Sequence, residues 1–598
     1  MISTLISWVI IFYISFSLGD LFLFLYNRIC KSEEYYNFLD TFIIGICFIT
    51  VLLSISSLWF PSNQYVLLTY LIITVAYWIL RKERLKTYIK DVSEHVNSMT
   101  KFQISTIFFS SFIILFLMAF CSDFYDANVY HHQQIRWNEE FGVVPGLANI
   151  EDRFGFNSNY LLISAVFSFR FLFGEALNTI QSLLFVAITF WILIQIFKTN
   201  YGIAHIIALF FMLLILFTNS TLLNDSSTDI IPLLCIFYFI IKTVSAPDWL
   251  VKQPFLASLL PVIMVTYKLS TSVFCLISLG ILIYLFRQGK LRNIFFILII
   301  SILCVLVWCI RNVVITGYLV YPFESIDLFS FDWKMPKASV QLERLHVQEW
   351  ANWVFSYLFE IKRNRLIINV TNYSMFILAV LSPIVVIYSW IKKVKISNSV
   401  YYIYAVSMLC LFLGMMTAPD FRFVGGYLFG CGFILVYSIL KYFKVDETTF
   451  PVLGKIAISF IIVCALLFVT DMNYRMIITS DYTTRDLSYI WWKQKRFDYK
   501  TQYTEYNMNG LTIYLIDREK TCTFDVLPST TSYEGIPFTP FKGLKLQSIN
   551  TVEARGDNLQ DGFRTKKEYV DIINDNVEEY IKAYLKRYEQ YNEPVSHK

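Results

Sequence analysis

Long apolar runs recur along most of the chain, separated by short polar connectors, and they constrain the fold more than any other feature. A run of about 15 to 24 such residues can cross a bilayer as a helix. These runs cover residues 5–26, 39–60, 65–80, 105–120, 178–197, 203–217, 229–244, 254–267, 271–286, 293–310, 374–391, 400–416, 423–442 and 452–470. They predict an all-α polytopic membrane protein of about fourteen transmembrane helices. With only 16% charged residues against 56% hydrophobic, the chain has too little charge to cover the surface of a soluble protein. The run at 254–267 is the weakest, being short and holding Pro261. The first run lacks a basic region before it and is too long for a signal-peptide core, so it reads as a retained span.

Orientation follows from the connectors. Those carrying Arg28/Lys31, Arg81 to Lys90, Lys198, Lys242/Lys252, Arg287/Lys290/Arg292, Lys392/Lys393/Lys395 and Lys441/Lys444 alternate along the chain, and so share one face, the cytoplasmic one. The alternation holds only if 254–267 crosses. The loop around 123, the turn at 219–228, the loop at 311–373, the turn at 417–422 and the tail then lie outside. The net charge of +5 reflects the basic connectors, and no Lys/Arg run interleaved with aromatics suggests nucleic acid. Most of the 11 cysteines sit inside apolar runs as small hydrophobes, without the spacing of a zinc ribbon or disulfide framework. A bridge between Cys121 and Cys522 stays open.

Between apolar flanks, residues 123–158 (DFYDANVYHHQQIRWNEEFGVVPGLANIEDRFGFNS) form a polar island. A carboxylate just outside a span can act as general base toward a hydroxyl. Asp126 is the first candidate and Asp123 the second, although either could instead cap a helix. His131 and His132 could join the carboxylates around a divalent cation, but adjacent histidines diverge on a helix. His131 could equally contact a phosphate or a sugar. Arg136, Trp137 and Arg153 are further candidate substrate contacts, with Tyr130, Gln134 and Trp137 on one helical stripe. The next segment, 158–174, reads as a helix lying in the outer interface, with Arg170 snorkelling to headgroups.

Fixed cations on the same face would suit an anionic substrate. Lys268, Arg311 and Arg422 all stand at outer helix ends, where snorkelling is the competing explanation. Asp225 and Asp229, on the turn before the span at 229–244, could hold a metal or an acceptor, or Asp229 could simply be an N-cap.

Beyond residue 470 the apolar runs stop. LTIYLI (511–516) alternates as a strand, and 566–591 reads as one amphipathic helix, making a small α+β domain tethered outside. The chain thus divides into an N-terminal membrane extension (1–102), a core (103–310) with its external loop (121–158), a second external loop (311–373), further spans (374–471) and the tail (472–598).

Three motifs together resemble the GT-C superfamily, integral-membrane glycosyltransferases that use polyprenyl-phosphate-linked sugars. One is YDANVYHHQQIRW with FGVVPGL and FRFLFGE after it; the others are VWCIRNVVITGYLVYPF (307–323) and APDFRF (418–423). The spans between 105 and 310 match that family's shared helical module, and the tail, with CTFDVLPST and EARGDNLQDGF, resembles that of bacterial members without an assigned activity. The resemblance implies a sugar donor entering from the lipid bilayer with its phosphate near Lys268, Arg311 or Arg422. Asp126, or Asp123 in another register, would be the catalytic base for inverting transfer to a glycan, lipid or protein hydroxyl. Trp137 would stack on a sugar ring. It also implies a bacterial plasma membrane, with the site and tail outside and a role in envelope polysaccharide synthesis. The spacing Asp-x-x-Asp departs from a tight acidic pair, so a divalent cation stays open as cofactor. Competing readings are an O-antigen-type polymerase or ligase, a transporter or flippase, and a scaffold without catalysis.

Overall fold

The computed structural model describes residues 1–120, 126–358, 366–445, 449–479, 489–492, 503–516, 526–530 and 549–592. Five helices precede the polar island: α1 (Ile2–Cys30), α2 (Phe38–Ser56), α3 (Gln64–Leu80), α4 (Lys82–Ser98) and α5 (Lys101–Leu117). The island contributes α6 (His132–Glu140) and α7 (Asn159–Val166), then the single turn α8 (Arg170–Phe173). The core continues through α9 (Ile180–Lys198), α10 (Ile203–Leu223), α11 (Ile230–Ser245), α12 (Trp249–Lys252), α13 (Pro254–Tyr267), α14 (Leu276–Arg287) and α15 (Leu291–Thr316). After α16 (Lys337–Leu358) come α17 (Leu366–Ile391), α18 (Asn398–Thr417), α19 (Phe421–Tyr442), α20 (Pro451–Thr479) and the turn α21 (Tyr489–Trp492). The described residues beyond α21 form five short strands, β1 (Tyr503–Met508), β2 (Leu511–Ile516), β3 (Ser529–Thr530), β4 (Val552–Ala554) and β5 (Phe563–Thr565), and the helices α22 (Lys567–Asp575) and α23 (Val577–Asn592).

Among the described residues ten helices are long and apolar enough to cross a membrane, and four shorter apolar helices accompany them. This is a polytopic integral membrane protein whose membrane part is all-helical, with a small C-terminal strand region. Helices α2, α9, α11 and α13 are buried around almost their whole circumference. By contrast α15, α17 and α20 turn Phe295, Ile299, Ile384 and Phe460 outward, an apolar surface that a bilayer covers. The pair α1 and α2 packs backbone to backbone: a Cβ on Gly19 would meet Thr41 O at 1.9 Å and one on Gly45 would meet Ser15 O at 1.6 Å. Small residues at such a crossing permit the close approach that holds helices together where lipid offers no hydrophobic drive.

Connectors that share loop charge also share an end of the bundle. Lys242 Nζ pairs with Asp40 at 2.6 Å, and Asn293 donates to Ser32 Oγ at 2.8 Å. The charged connector after α3 is a helix of its own, α4, bent 91° from α3 and without a buried residue. Arg84 of α4 ties it to the buried Asp20 of α1 at 2.5 Å.

Two expectations change. All eight residues of α7 are inside the protein, packed between α2 and α6, so the first half of the segment is not an interfacial helix, while Phe171 and Leu172 of α8 remain exposed. Arg170 does not snorkel, because Glu139 accepts its Nε–H at 2.8 Å. Nor is the tail merely tethered. β1 pairs antiparallel with β2 (Tyr506 opposite Ile513), β2 parallel with β3, and β4 antiparallel with β5 (Glu553 opposite Arg564). These strands close one apolar cluster with the polar island and the second loop, including Leu147, Phe154, Tyr318, Met335, Ile513 and Phe563. Pro145 O accepts the Phe563 N–H at 3.0 Å, and Gln133 bridges Val526 O and Ser529 N at 2.6 and 3.1 Å. The amphipathic stretch at the end is two helices, and Ile573 and Tyr580 cover Ala338 and Leu342 of α16. No disulfide occurs among the described residues, and Cys121 and Cys522 lie outside them.

Candidate functional site

The polar island enters α6 through a π turn, Ala127–His131. A π turn closes i→i+5 and so stacks residues five apart, which an α-helix would separate by about 140° around its axis. Asp126 and His131 are therefore brought toward one region, which α-helical spacing alone disfavours. Asp126 stands at the N-cap position, yet its side chain makes no capping bond. It instead accepts from Arg422 Nη1 at 3.2 Å and lies 3.9 Å from Arg153 Nη1.

Arg422 comes from the first turn of α19, where Asp420 is the N-cap. One Asp420 oxygen accepts the Arg422 backbone N–H and the other its Nε–H, both at 2.9 Å. The same carboxylate thus starts the helix and aims the guanidinium at Asp126. Asp229 also holds an N-cap position without capping. Its carboxylate takes the ammonium of Lys268, which lies 3.7 Å from the centre of the Phe423 ring. Burial works to raise the Asp229 pKa, but Lys268 and Arg422 outweigh it and hold the carboxyl below its ordinary range.

His131 lies within this electrostatic neighbourhood. It is only 2% exposed, neither ring nitrogen has a hydrogen-bond partner, and its ring lies 4.3 Å from that of Tyr130. Burial pushes its pKa down to about 4, against the pull of Asp126 and Asp229, so at neutral pH it is an uncharged imidazole. Burial and Asp126 likewise raise the Tyr130 phenol, which stays protonated. On the far side, Arg153 donates from Nη2 to His346 Nε2 at 2.9 Å. Arginine can only donate, so Nε2 of His346 is the acceptor and its proton sits on Nδ1. The arrangement gathers three carboxylates (Asp126, Asp229, Asp420) and three basic side chains (Arg153, Lys268, Arg422) at one end of the bundle.

A family model described as "Domain of unknown function (DUF8201)" matches residues 1–429. The chain belongs to this family. Neither a curated protein nor a solved structure matches it. The DUF8201 stretch contains all six charged groups and ends within α19, a few residues after Arg422, leaving the tail beyond it.

Within DUF8201, the residues singled out from the sequence divide sharply. Asp126, His131, Arg153, Asp229, Lys268 and Arg422 converge. Asp123 lies outside the described residues. Arg311 is corrected: it is buried, and its donors go to Asn157 Oδ1, Ser57 O and Oγ, and Asn138 Oδ1 at 2.8–3.3 Å, clamping α15 to α2 and α6 rather than facing a phosphate. Trp137 is also corrected. It packs against Phe141 and Phe563 in the apolar cluster that joins the polar island to the tail, so its ring belongs to that core rather than to the charged cluster. Arg136 faces Glu139 and Glu140 of its own helix at 3.8 and 3.5 Å. Asp225 and Asp229 do not act as a pair: Asp225 lies 3.9 Å from His132 Nε2 and accepts from Ser226 N, while Asp229 belongs to Lys268. Among the described residues no group of three His, Cys, Asp or Glu side chains could hold a metal ion.

Sequence reasoning missed Asp420, Tyr130, Phe423 and His346. Asp420 had a signal, an acid between Pro419 and a helix start. His346 had none, since α16 reaches Arg153 only through tertiary packing.

Proposed function

We propose that this DUF8201 protein is a GT-C-type membrane glycosyltransferase, moving a sugar from a polyprenyl-phosphate donor to a hydroxyl acceptor outside the bacterial plasma membrane. The observation that carries the reading is the direct contact of Asp126, from the loop after α5, with Arg422, from the start of α19. Ten long apolar helices with the shorter α3, α5, α11 and α13 are compatible with about fourteen crossings, and with that count the loop charges favour an outside position for this cluster. The apolar outer faces of α15 and α17 suit a polyprenyl chain.

In this mechanism the donor phosphate draws Arg422 and Lys268 away from their carboxylates, which releases Asp126. Asp126 takes the proton of the acceptor hydroxyl as its oxygen bonds to the anomeric carbon from the face opposite the phosphate. The bond from that carbon to the phosphate oxygen breaks, and its electron pair leaves on polyprenyl phosphate, held by the two cations. The anomeric configuration inverts.

Transfer from a polyprenyl-phosphate-linked sugar by the purified full chain tests the proposal. Asp126→Asn and Arg422→Ala should each lower turnover about 10²–10⁴-fold. Loss in the arginine variant alone would favour an O-antigen-type polymerase, and equal rates in all three proteins would end both readings.

A further inference from the structure

Both nitrogens of the His131 ring are enclosed by the protein and bonded to nothing, in a site whose six charged groups pair among themselves. A buried polar group left unpaired is destabilising, and His131 leaves two, so the site is built for something that fills them. The requirement is specific. A neutral imidazole offers one donor and one acceptor, and so matches groups that can both give and take a hydrogen bond. An anion satisfies only the donor edge and an ammonium only the acceptor edge. A hydroxyl satisfies either, and two neighbouring hydroxyls satisfy both.

We infer that His131 is a binding residue for the ring hydroxyls of a sugar, with Asp126 and Tyr130 beside it. This rests on the glycosyltransferase reading and narrows it. An acceptor seated here is a carbohydrate bearing neighbouring hydroxyls, not the single hydroxyl of a serine or threonine side chain. The same chemistry could come from the sugar of the lipid-linked donor, and the two sources separate experimentally.

The test is binding to the purified full chain in lipid nanodiscs, with three probes: a panel of free monosaccharides, polyprenyl phosphate without sugar, and a polyprenyl-phosphate-linked sugar. His131→Phe keeps the ring shape and removes both polar edges, while His131→Gln restores one donor and one acceptor. If the acceptor sugar sits on His131, His131→Phe weakens monosaccharide binding about ten-fold or more and leaves the sugar-linked lipid unchanged. If the donor sugar sits there, the loss falls on the sugar-linked lipid. In either case binding of bare polyprenyl phosphate is unchanged and His131→Gln recovers part of the loss. Wild-type affinity for all three probes in His131→Phe overturns the inference, as does failure of the wild type to bind any sugar. Loss of polyprenyl phosphate binding in Arg422→Ala, with His131→Phe unaffected, would leave the parent reading standing and this one refuted.

Discussion

Arg422 Nη1 stands 3.2 Å from Asp126 Oδ2 although 296 residues separate them in the chain, and Asp420 holds the other side of the same guanidinium. One cation thus serves two carboxylates that begin different elements. Neither acid is left to repel the other, and the polar island is fastened to α19.

The two ends of that contact should couple. Removing Arg422 leaves the buried Asp420 without its cation and Asp126 with only Arg153 at 3.9 Å, so Arg422→Ala destabilises by about 3–5 kcal/mol. In a double-mutant cycle with Asp126→Asn, the coupling should reach roughly 0.5–3 kcal/mol. Strictly additive losses in chemical denaturation would mean that the contact carries no energy.

His131 should give stability a proton dependence. The folded imidazole titrates at about 4 and the unfolded one near 6.5. Between those values the unfolded chain binds the extra proton, so stability rises with pH there. On acidification this group removes about 3 kcal/mol by pH 4 and only a few tenths more below it. The groups facing it, Asp126, Asp229, Arg422 and Lys268, are common to wild type and His131→Phe. The difference between their denaturation curves from pH 7 to 4 therefore isolates the histidine, and parallel curves would refute the assignment.

The tail is docked through backbone that tolerates no side chain. Gly562 has φ 88°, and a Cβ there would meet Pro145 O at 2.0 Å. Gly562→Val should release β5 from the polar island and expose the tail to limited proteolysis while the bundle stays folded. A tail as resistant as in the wild type would show that this junction does not hold it.

Trp137 should behave as core. Trp137→Ala is expected to cost about 3–5 kcal/mol in stability, with Trp137→Phe recovering much of it. Sugar affinity, measured on the folded fraction, should not change. A variant of normal stability and lost sugar binding would restore the stacking role.

Much of this was legible in the chain itself. Hydrophobic run length and alternating basic connectors are local properties, so the all-helical membrane architecture and the shared end of Asp126, Lys268 and Arg422 follow from sequence alone. An acid such as Asp126 or Asp229 before a helical run reads equally as a cap or as a functional group, and local pattern cannot separate the two. Packing did: both side chains turn away from their own helices toward cations delivered by distant ones. It also sent Arg311 to neutral oxygens, buried Trp137 behind the tail, and used one π turn to bring His131 toward Asp126. Spans are set by the affinity of a segment for lipid, which each segment carries by itself. Which charge meets which depends on how the helices stack, a property of the whole bundle.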